Sequence, residues 1–585
     1  MTGAQQTRDA LGATPWPTRA SVPPRAGGRR ADGPATGARR TTVEISTSAM
    51  PYLLHHCVVP QRPGWPESAD RRPVVPAGTV LRHLLDGAER AAPGARAVGL
   101  RQVRFDRWVD AVPASRVTLA AAPQGRGRMA VAFGAHARAG VELAGGYPAP
   151  PAPWPPPRAE RLPRETAEEL YADRWLCAGP GYRGIARLLG SGAGQVRAGL
   201  VVPPAPGGLL DAVGQVLVYA VLADAASART VAVPVRVRGV RFFGPAPPVG
   251  TALECRLRVT HRTATAVLAD AQLLISGEVW AQVSGWQARL LAGPDTRAPG
   301  GYPEHRALSV PQPGGWVLVR DAWPDPASRD VVMRTQLGRA ERAEYARRSP
   351  HGRRQWLLGR IAVKDAVRHW LWERGAGPVF PAELRVREDP DGRVRVSGLH
   401  GRALPDLDVD LAHRADAAVA LVRPRRPGAR DHRGPGIGIE LLAPRHAPRG
   451  PGAAREPDAA REPDAAPEPG GAASGGPGPA DLRAARRAAA AAEGVRPRET
   501  AVLAVDGDRL TLAAGHRRRE VRRAEVTSHT PGAPARRYTV AWTTEPPPAS
   551  DPATTPGAAP DPVTAPLTAP DTAPDTAPDT ASAEN

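Results

Sequence analysis

His56 closes the run Pro51-Tyr52-Leu53-Leu54-His55-His56, and far downstream Asp211 opens the apolar stretch Leu209-Leu210-Asp211-Ala212-Val213-Gly214-Gln215. An imidazole can take a proton from carbon, and a carboxylic acid can hand one to a departing hydroxyl. Together the two groups suit the removal of water from a β-hydroxyacyl thioester. Asp211 and Gln215 are four apart, which puts them on one helical face, so Gln215 can hydrogen-bond the carboxyl or a substrate hydroxyl. An aspartate at a helix start is usually an N-cap. One that precedes a nearly all-apolar helix, however, would bury a carboxylate without benefit, and that favours a functional role. His55 stands beside His56 and leaves open which imidazole acts.

The elements that must position these groups follow one plan twice. In the first copy, an extended entry with His56 leads to Val74-Val75-Pro76-Ala77-Gly78 and a helix over 79–89, whose residues Val80, Leu81, Leu84, Leu85 and Ala88 form one face. Strands are expected over 97–103, 116–120 and 129–133. The amides that open this helix, near Gly78, are available to polarise a thioester carbonyl. In the second copy, the helix over 208–222 is apolar nearly all round and must be buried. Strands are expected over 230–235, 252–259, 264–268 and 273–283. A buried helix followed by long antiparallel strands, twice over, describes a sheet wrapped around a helix in duplicate: an α+β double hot-dog.

Composition sets the frame. The chain has 585 residues, with 68 Pro and 61 Gly, a formal charge of +20, and Lys364 as its sole lysine. Such a basic surface suits an acidic partner. The sequence carries no aromatic-plus-basic stripe, zinc spacing or RNA-binding run, so nucleic acid is not expected as that partner. Cys57, Cys177 and Cys255 are odd in number and far apart, which predicts no disulfide framework and a reducing cytoplasm. No apolar run approaches the roughly 18–20 residues of a spanning helix, so no membrane role is expected. The organisation reads as a disordered basic arm over 1–43, a first hot-dog over 44–145, a Pro-rich extended connector over 146–164 and a second hot-dog over 165–292. A linker over 293–312 leads to a third region over 313–545, which carries a disordered insert over 444–478. A Thr-Ala-Pro-Asp tail over 546–585 follows.

Residues 45–292 resemble the dehydratase domains of polyketide synthases. His56 followed by Val74-Val75-Pro76 is similar to the first family motif, and Gly179-Pro180-Gly181-Tyr182-Arg183-Gly184 to the Tyr-Gly-Pro-x-Phe-x-Gly motif. Leu209-Leu210-Asp211 with Gln215 matches the Leu-Leu-Asp-x-x-x-Gln/His motif, and Val233-Pro234-Val235 with Gly239-Val240 echoes the strand motif that follows. The resemblance implies a 3-hydroxyacyl-carrier dehydratase, with His56, Asp211 and Gln215 catalytic and Pro76, Gly78 and Tyr182 at the substrate. It needs no cofactor, and its partners are acyl carrier protein and other synthase components. Ala77 stands where the family usually has glycine, and the segment 61–71 lengthens the path from His56 to Pro76, which predicts altered access to the channel.

In the third region an amphipathic helix over 353–367 carries Arg360 and Lys364 four apart. Asp408–His413 precedes the strand-like 417–421, and Gly436-Ile437-Gly438-Ile439-Glu440 follows. In this order the pieces resemble a 4′-phosphopantetheinyl transferase. The resemblance implies coenzyme A contacts from Arg360, Lys364 and His413 and a magnesium ligand in Glu440, with Mg2+ and coenzyme A needed only if this region is active. Gly438 stands where the family has its metal-binding aspartate, and the helical stretch 482–488 has no acidic residue, so the region reads as a degenerate transferase-like domain. A non-catalytic scaffold for carrier or acyl binding, or an active transferase, are the alternatives.

Overall fold

The computed structural model describes residues 38–157, 160–192, 194–223, 230–292, 303–323, 325–390, 392–414, 416–425, 434–442, 477–528 and 534–544. Most of the expected arm, nearly all of the insert and the whole tail lie outside these residues. Three boundaries are corrected. Strand β1 (Arg39–Ile45) pairs along its length with 115–121, so the folded region begins before residue 44. Gly478 already caps a helix, its N–H donated to Asp481 at 2.9 Å. Within the expected linker, Glu304 is buried and Val310–Gln312 form a strand, so the second half of that segment belongs to the third region.

One antiparallel sheet of eleven strands runs through the first two regions. Its first half comprises β1, β2 (Arg96–Phe105), β3 (Ser115–Pro123), β4 (Arg128–Phe133) and β5 (Ala137–Ala144). The second half comprises β6 (Ile185–Gly192), β7 (Gln195–Val201), β8 (Thr230–Phe242), β9 (Ala252–Arg262), β10 (Ala266–Ile275) and β11 (Glu278–Ala292). The order is β1-β3-β4-β5-β2-β8-β11-β10-β9-β7-β6, and the β2–β8 pairing welds the halves edge to edge. Helix α1 (Ala77–Ala91) packs on β2 to β5, and α2 (Gly208–Leu222) on strands of the second half. Each helix is thus wrapped by its own part of the sheet, which is the double hot-dog arrangement, and one continuous apolar core fills both. Helix α1 starts two residues before the expected residue 79, with Pro76 as its N-cap. The described part of the connector is pinned: Gln272 accepts from Trp154 N–H at 2.8 Å, and Arg258 stacks on the Trp154 ring.

The third region holds two more antiparallel sheets. One orders β12 (Val310–Gln312), β13 (Trp316–Arg320), β17 (Ala417–Pro424), β16 (Leu407–Arg414), β15 (Val394–Gly398) and β14 (Leu384–Glu388). The other orders β18 (Ile437–Leu441), β22 (Arg536–Thr543), β21 (Arg517–Ser528), β20 (Arg509–Ala514) and β19 (Thr500–Asp506). Helices α3 (Pro326–Gln336), α4 (Arg339–Arg347) and α5 (Pro350–Trp372) precede β14, and α6 (Pro479–Glu493) precedes β19. Helix α5 packs on β13, β16 and β17, while α6 covers β18 and β22 with a face of alanines. No helix among the described residues is long and apolar enough to cross a membrane.

Candidate active site

His56 ends a one-turn helix, Pro51–His55, and is held to the strand-like segment before α1 by two contacts. Val74 N–H donates to His56 O at 3.1 Å, and the His56 ring meets Val74 O through Nδ1 at 3.2 Å. A carbonyl oxygen has no proton to give, so Nδ1 carries the hydrogen and, in the neutral ring, Nε2 keeps the lone pair. Tyr182 packs edge-on against this ring, with centroids 5.6 Å apart. The adjacent His55 is engaged differently: its Nδ1 accepts from Gly181 N–H at 3.1 Å, and its carbonyl accepts from Gly179 N–H. His55 therefore anchors the 179–181 loop.

Asp211 lies in the first turn of α2 and is 8% exposed. Gln215 donates from Nε2 to Asp211 Oδ2 at 3.0 Å and to Tyr182 O at 2.8 Å, and its Oε1 accepts from Tyr171 O–H at 2.8 Å. The Tyr171 oxygen in turn accepts from Gly184 and Ile185 N–H at 3.0 and 2.8 Å. Two amides occupy its lone pairs, so its proton must go to Gln215, which fixes the amide with nitrogen toward Asp211. Burial pushes the Tyr171 hydroxyl up to about 12, against the two amides that pull it down, and the Asp211 charge adds to the rise. Tyr171 therefore stays a proton donor. Gln215 thus holds Oδ2 of Asp211, leaving Oδ1 as the other carboxyl oxygen.

His56, Asp211, Gln215 and Pro76 line one cavity of about 510 Å³, walled by apolar side chains that include Val75, Leu217 and Trp286. An imidazole and a carboxyl from separate halves of the double hot-dog thus border a common, mainly apolar space. Gly78 and Tyr182 do not line it, which corrects their expected place at the substrate. Gly78 is packed against the start of α2, where a side chain has no room. Tyr182 is fully buried and bonds Thr79 through its hydroxyl at 2.9 Å, so it supports His56 and Gln215 from behind. Tyr171 went unnoticed in the sequence, since a lone tyrosine in the short helix Ala167–Ala172 carries no motif.

The segment 61–71, expected to alter access, borders the cavity at its two ends, Gln61 and Arg71, and between them docks the third region. Trp65 is buried against Phe380, Arg62 pairs with Glu383 at 2.8 Å, and buried Asp70 takes Arg342 at 2.9 Å. The buried indole and the paired buried carboxylate tie the middle of this stretch to the neighbouring fold.

The coenzyme A and metal expectations are corrected by burial. Lys364 is wholly enclosed and donates to Gln336 O, Pro381 O and Glu341, so it cannot reach a phosphate. Arg360 is 2% exposed, stacks on Trp356 and pairs with Glu388. His413 sits on β16, and burial lowers its affinity for a proton. Glu440 is gripped by Arg487 at 2.6 Å and Arg414 at 3.1 Å, with Arg483 at 3.9 Å, so its charge is already answered. A β-carbon on Gly438 would stand 2.2 Å from Ala484 O of α6, which excludes the aspartate a metal pair requires. Among the described residues no cluster of three or more His, Cys, Asp or Glu could hold a metal ion. The residues present do not fit a magnesium site.

Residues 147–296, the half that holds Tyr171, Asp211 and Gln215, match the family model described as polyketide synthase dehydratase N-terminal domain. Among solved structures, the dehydratase domain from the CurJ module of curacin polyketide synthase is similar at 19% identity, with 45% of this chain and 94% of that one covered and a TM-score of 0.36. A trans-AT polyketide synthase dehydratase domain from Brevibacillus brevis follows at 17%, 44%, 95% and 0.35. The PpsC dehydratase domain from Mycobacterium tuberculosis gives 17%, 45%, 97% and 0.34. No curated protein matches the chain.

Proposed function

We propose that this protein is a polyketide synthase-type dehydratase that eliminates water from β-hydroxyacyl thioesters carried on acyl carrier protein. The observation that carries this reading is the meeting of His56 and Asp211 on one apolar cavity, each already oriented by a second residue. Nε2 of His56 takes the α-proton while Asp211 delivers a proton from Oδ1 to the β-hydroxyl. The C–H and C–O bonds break, the carbon–carbon double bond forms and water leaves. His56 ends as imidazolium and Asp211 as carboxylate, and proton exchange with solvent resets the pair. The Ala77 N–H, which opens α1 at the cavity wall, polarises the thioester carbonyl as charge builds on it. Elimination is redox-neutral, so no cofactor enters.

For the third region we propose a transferase-like fold put to structural use. Buried Lys364, the arginines on Glu440 and the backbone packed on Gly438 support that reading. The chain's +20 charge suits an acidic carrier partner, whose docking would weaken as salt rises. The test is incubation of the full chain with a 3-hydroxyacyl pantetheine thioester, followed by the absorbance of the enoyl product. Formation of enoyl thioester supports the reading, and none with the intact chain overturns it.

A further inference from the structure

The dehydratase cavity does not end at the boundary of the double hot-dog. Pro303, Val331 and Thr335, all from the third region, border the same space as His56 and Asp211. Val331 and Thr335 are four apart on α3 and so share a face. Thr335 donates its hydroxyl to Val332 O at 2.8 Å, so its methyl is what it can offer to a ligand. The pair presents an apolar surface, suited to an alkyl chain and not to the amides of a pantetheine arm.

This wall is fixed in place. Asp325 caps α3 by accepting from Ala327 and Ser328 N–H at 2.9 and 3.1 Å, and Arg289 of β11 lies 3.7 Å from the same carboxylate. Beside Pro303, Glu304 is 2% exposed and takes Arg174 of the second hot-dog at 2.5 Å. Beside Val331, Asp330 lies 3.8 Å from Arg72, which follows directly on the docking segment 61–71. Arg174 and nearby Leu176 line the cavity, as do Val58 and Val59, whose N–H groups donate to Arg72 O and Arg71 O.

We propose that the third region forms an integral wall of the dehydratase channel, and that Val331 and Thr335 select which acyl chains it accepts. The proposal rests on the dehydratase reading above. It is tested by comparing kcat/KM of the full chain for 3-hydroxybutyryl and 3-hydroxydodecanoyl pantetheine thioesters. Val331→Trp lowers the long-to-short ratio by about tenfold or more, the scale on which a pocket discriminates alkyl length. Val331→Ala raises the ratio and carries the test if the tryptophan variant fails to fold. An unchanged ratio in a folded variant, or an equal loss on both substrates, overturns the proposal while leaving the dehydratase reading standing. Wild-type protein inactive on both thioesters overturns the dehydratase reading and this proposal with it.

Discussion

Gly78 and Gly207 meet backbone to backbone where the two central helices begin. A β-carbon on Gly78 would stand 2.3 Å from Gly207 O and 2.4 Å from Asp211 N, and one on Gly207 would stand 2.3 Å from Gly78 O. Gly207 also has φ +77°, which a side chain disfavours. The contact brings the start of α1, after Pro76, against the turn that carries Asp211. Thr79 reinforces it by donating to Pro206 O at 2.6 Å.

The first expected outcome follows from that crossing. Gly78→Ala has to separate the helices, at an overpacking cost of about 1–3 kcal/mol, and it lowers turnover by shifting Asp211. Gly377→Ala, with nothing within 4 Å of the added carbon, stays within about 0.5 kcal/mol of wild type. Denaturant unfolding of both variants checks the difference.

Tyr171→Phe tests the amide relay. It removes the donor that orients Gln215 and leaves Gly184 and Ile185 N–H without their acceptor. Each buried donor left unmet costs about 1–3 kcal/mol. Stability falls accordingly, and kcat falls more than KM changes, because Gln215 is freed to turn away from Asp211. Unfolding and steady-state kinetics on one preparation separate the two effects.

Much of this site was legible in the sequence because it is local. The five-residue approach to His56, the four-residue step from Asp211 to Gln215 and the apolar α2 are each contained in one short stretch. Tyr171, Val331 and Thr335 were not legible, since only tertiary folding brings them to the cavity. The third region misled for a related reason. Four-residue spacing puts Arg360 and Lys364 on one face of α5 but does not say whether that face meets water or, as here, Glu341, Glu388 and buried carbonyls. Likewise nothing local in the 61–71 segment, whose ends do border the cavity, points to Phe380 and Arg342, its partners more than two hundred residues away.

The dock between hot-dog and third region has its own test. Asp70 is 2% exposed and joined to Arg342, with the Trp65 indole donating to it at 3.3 Å. Asp70→Ala strands a largely buried guanidinium, which costs about 3–5 kcal/mol. The expected result is a lower melting temperature together with reduced dehydration, because the α3 wall loosens. Asp70→Asn, which keeps an acceptor for the indole, is milder.

Within the third region, desolvation pushes the half-buried Asp410 carboxyl up to about 6, although Ile437 N–H donates to it at 2.7 Å. Against an unfolded value near ~4, the folded state binds the extra proton between the two. Stability conferred by this group is therefore present at low pH and lost as pH rises from about 4 to about 6. Asp410→Asn should flatten that part of the melting-temperature profile and raise stability at neutral pH, as thermal melts across the range would reveal.

The most direct measurement is the loss of one water from a 3-hydroxyacyl thioester, followed by mass spectrometry for wild type, His56→Phe, Asp211→Asn and the double variant. Each single change should lower kcat by about 10²–10⁴-fold in folded protein. The double variant should be no worse than the poorer single, because base and acid serve one step. Wild-type turnover in either single variant would contradict the pairing of His56 with Asp211.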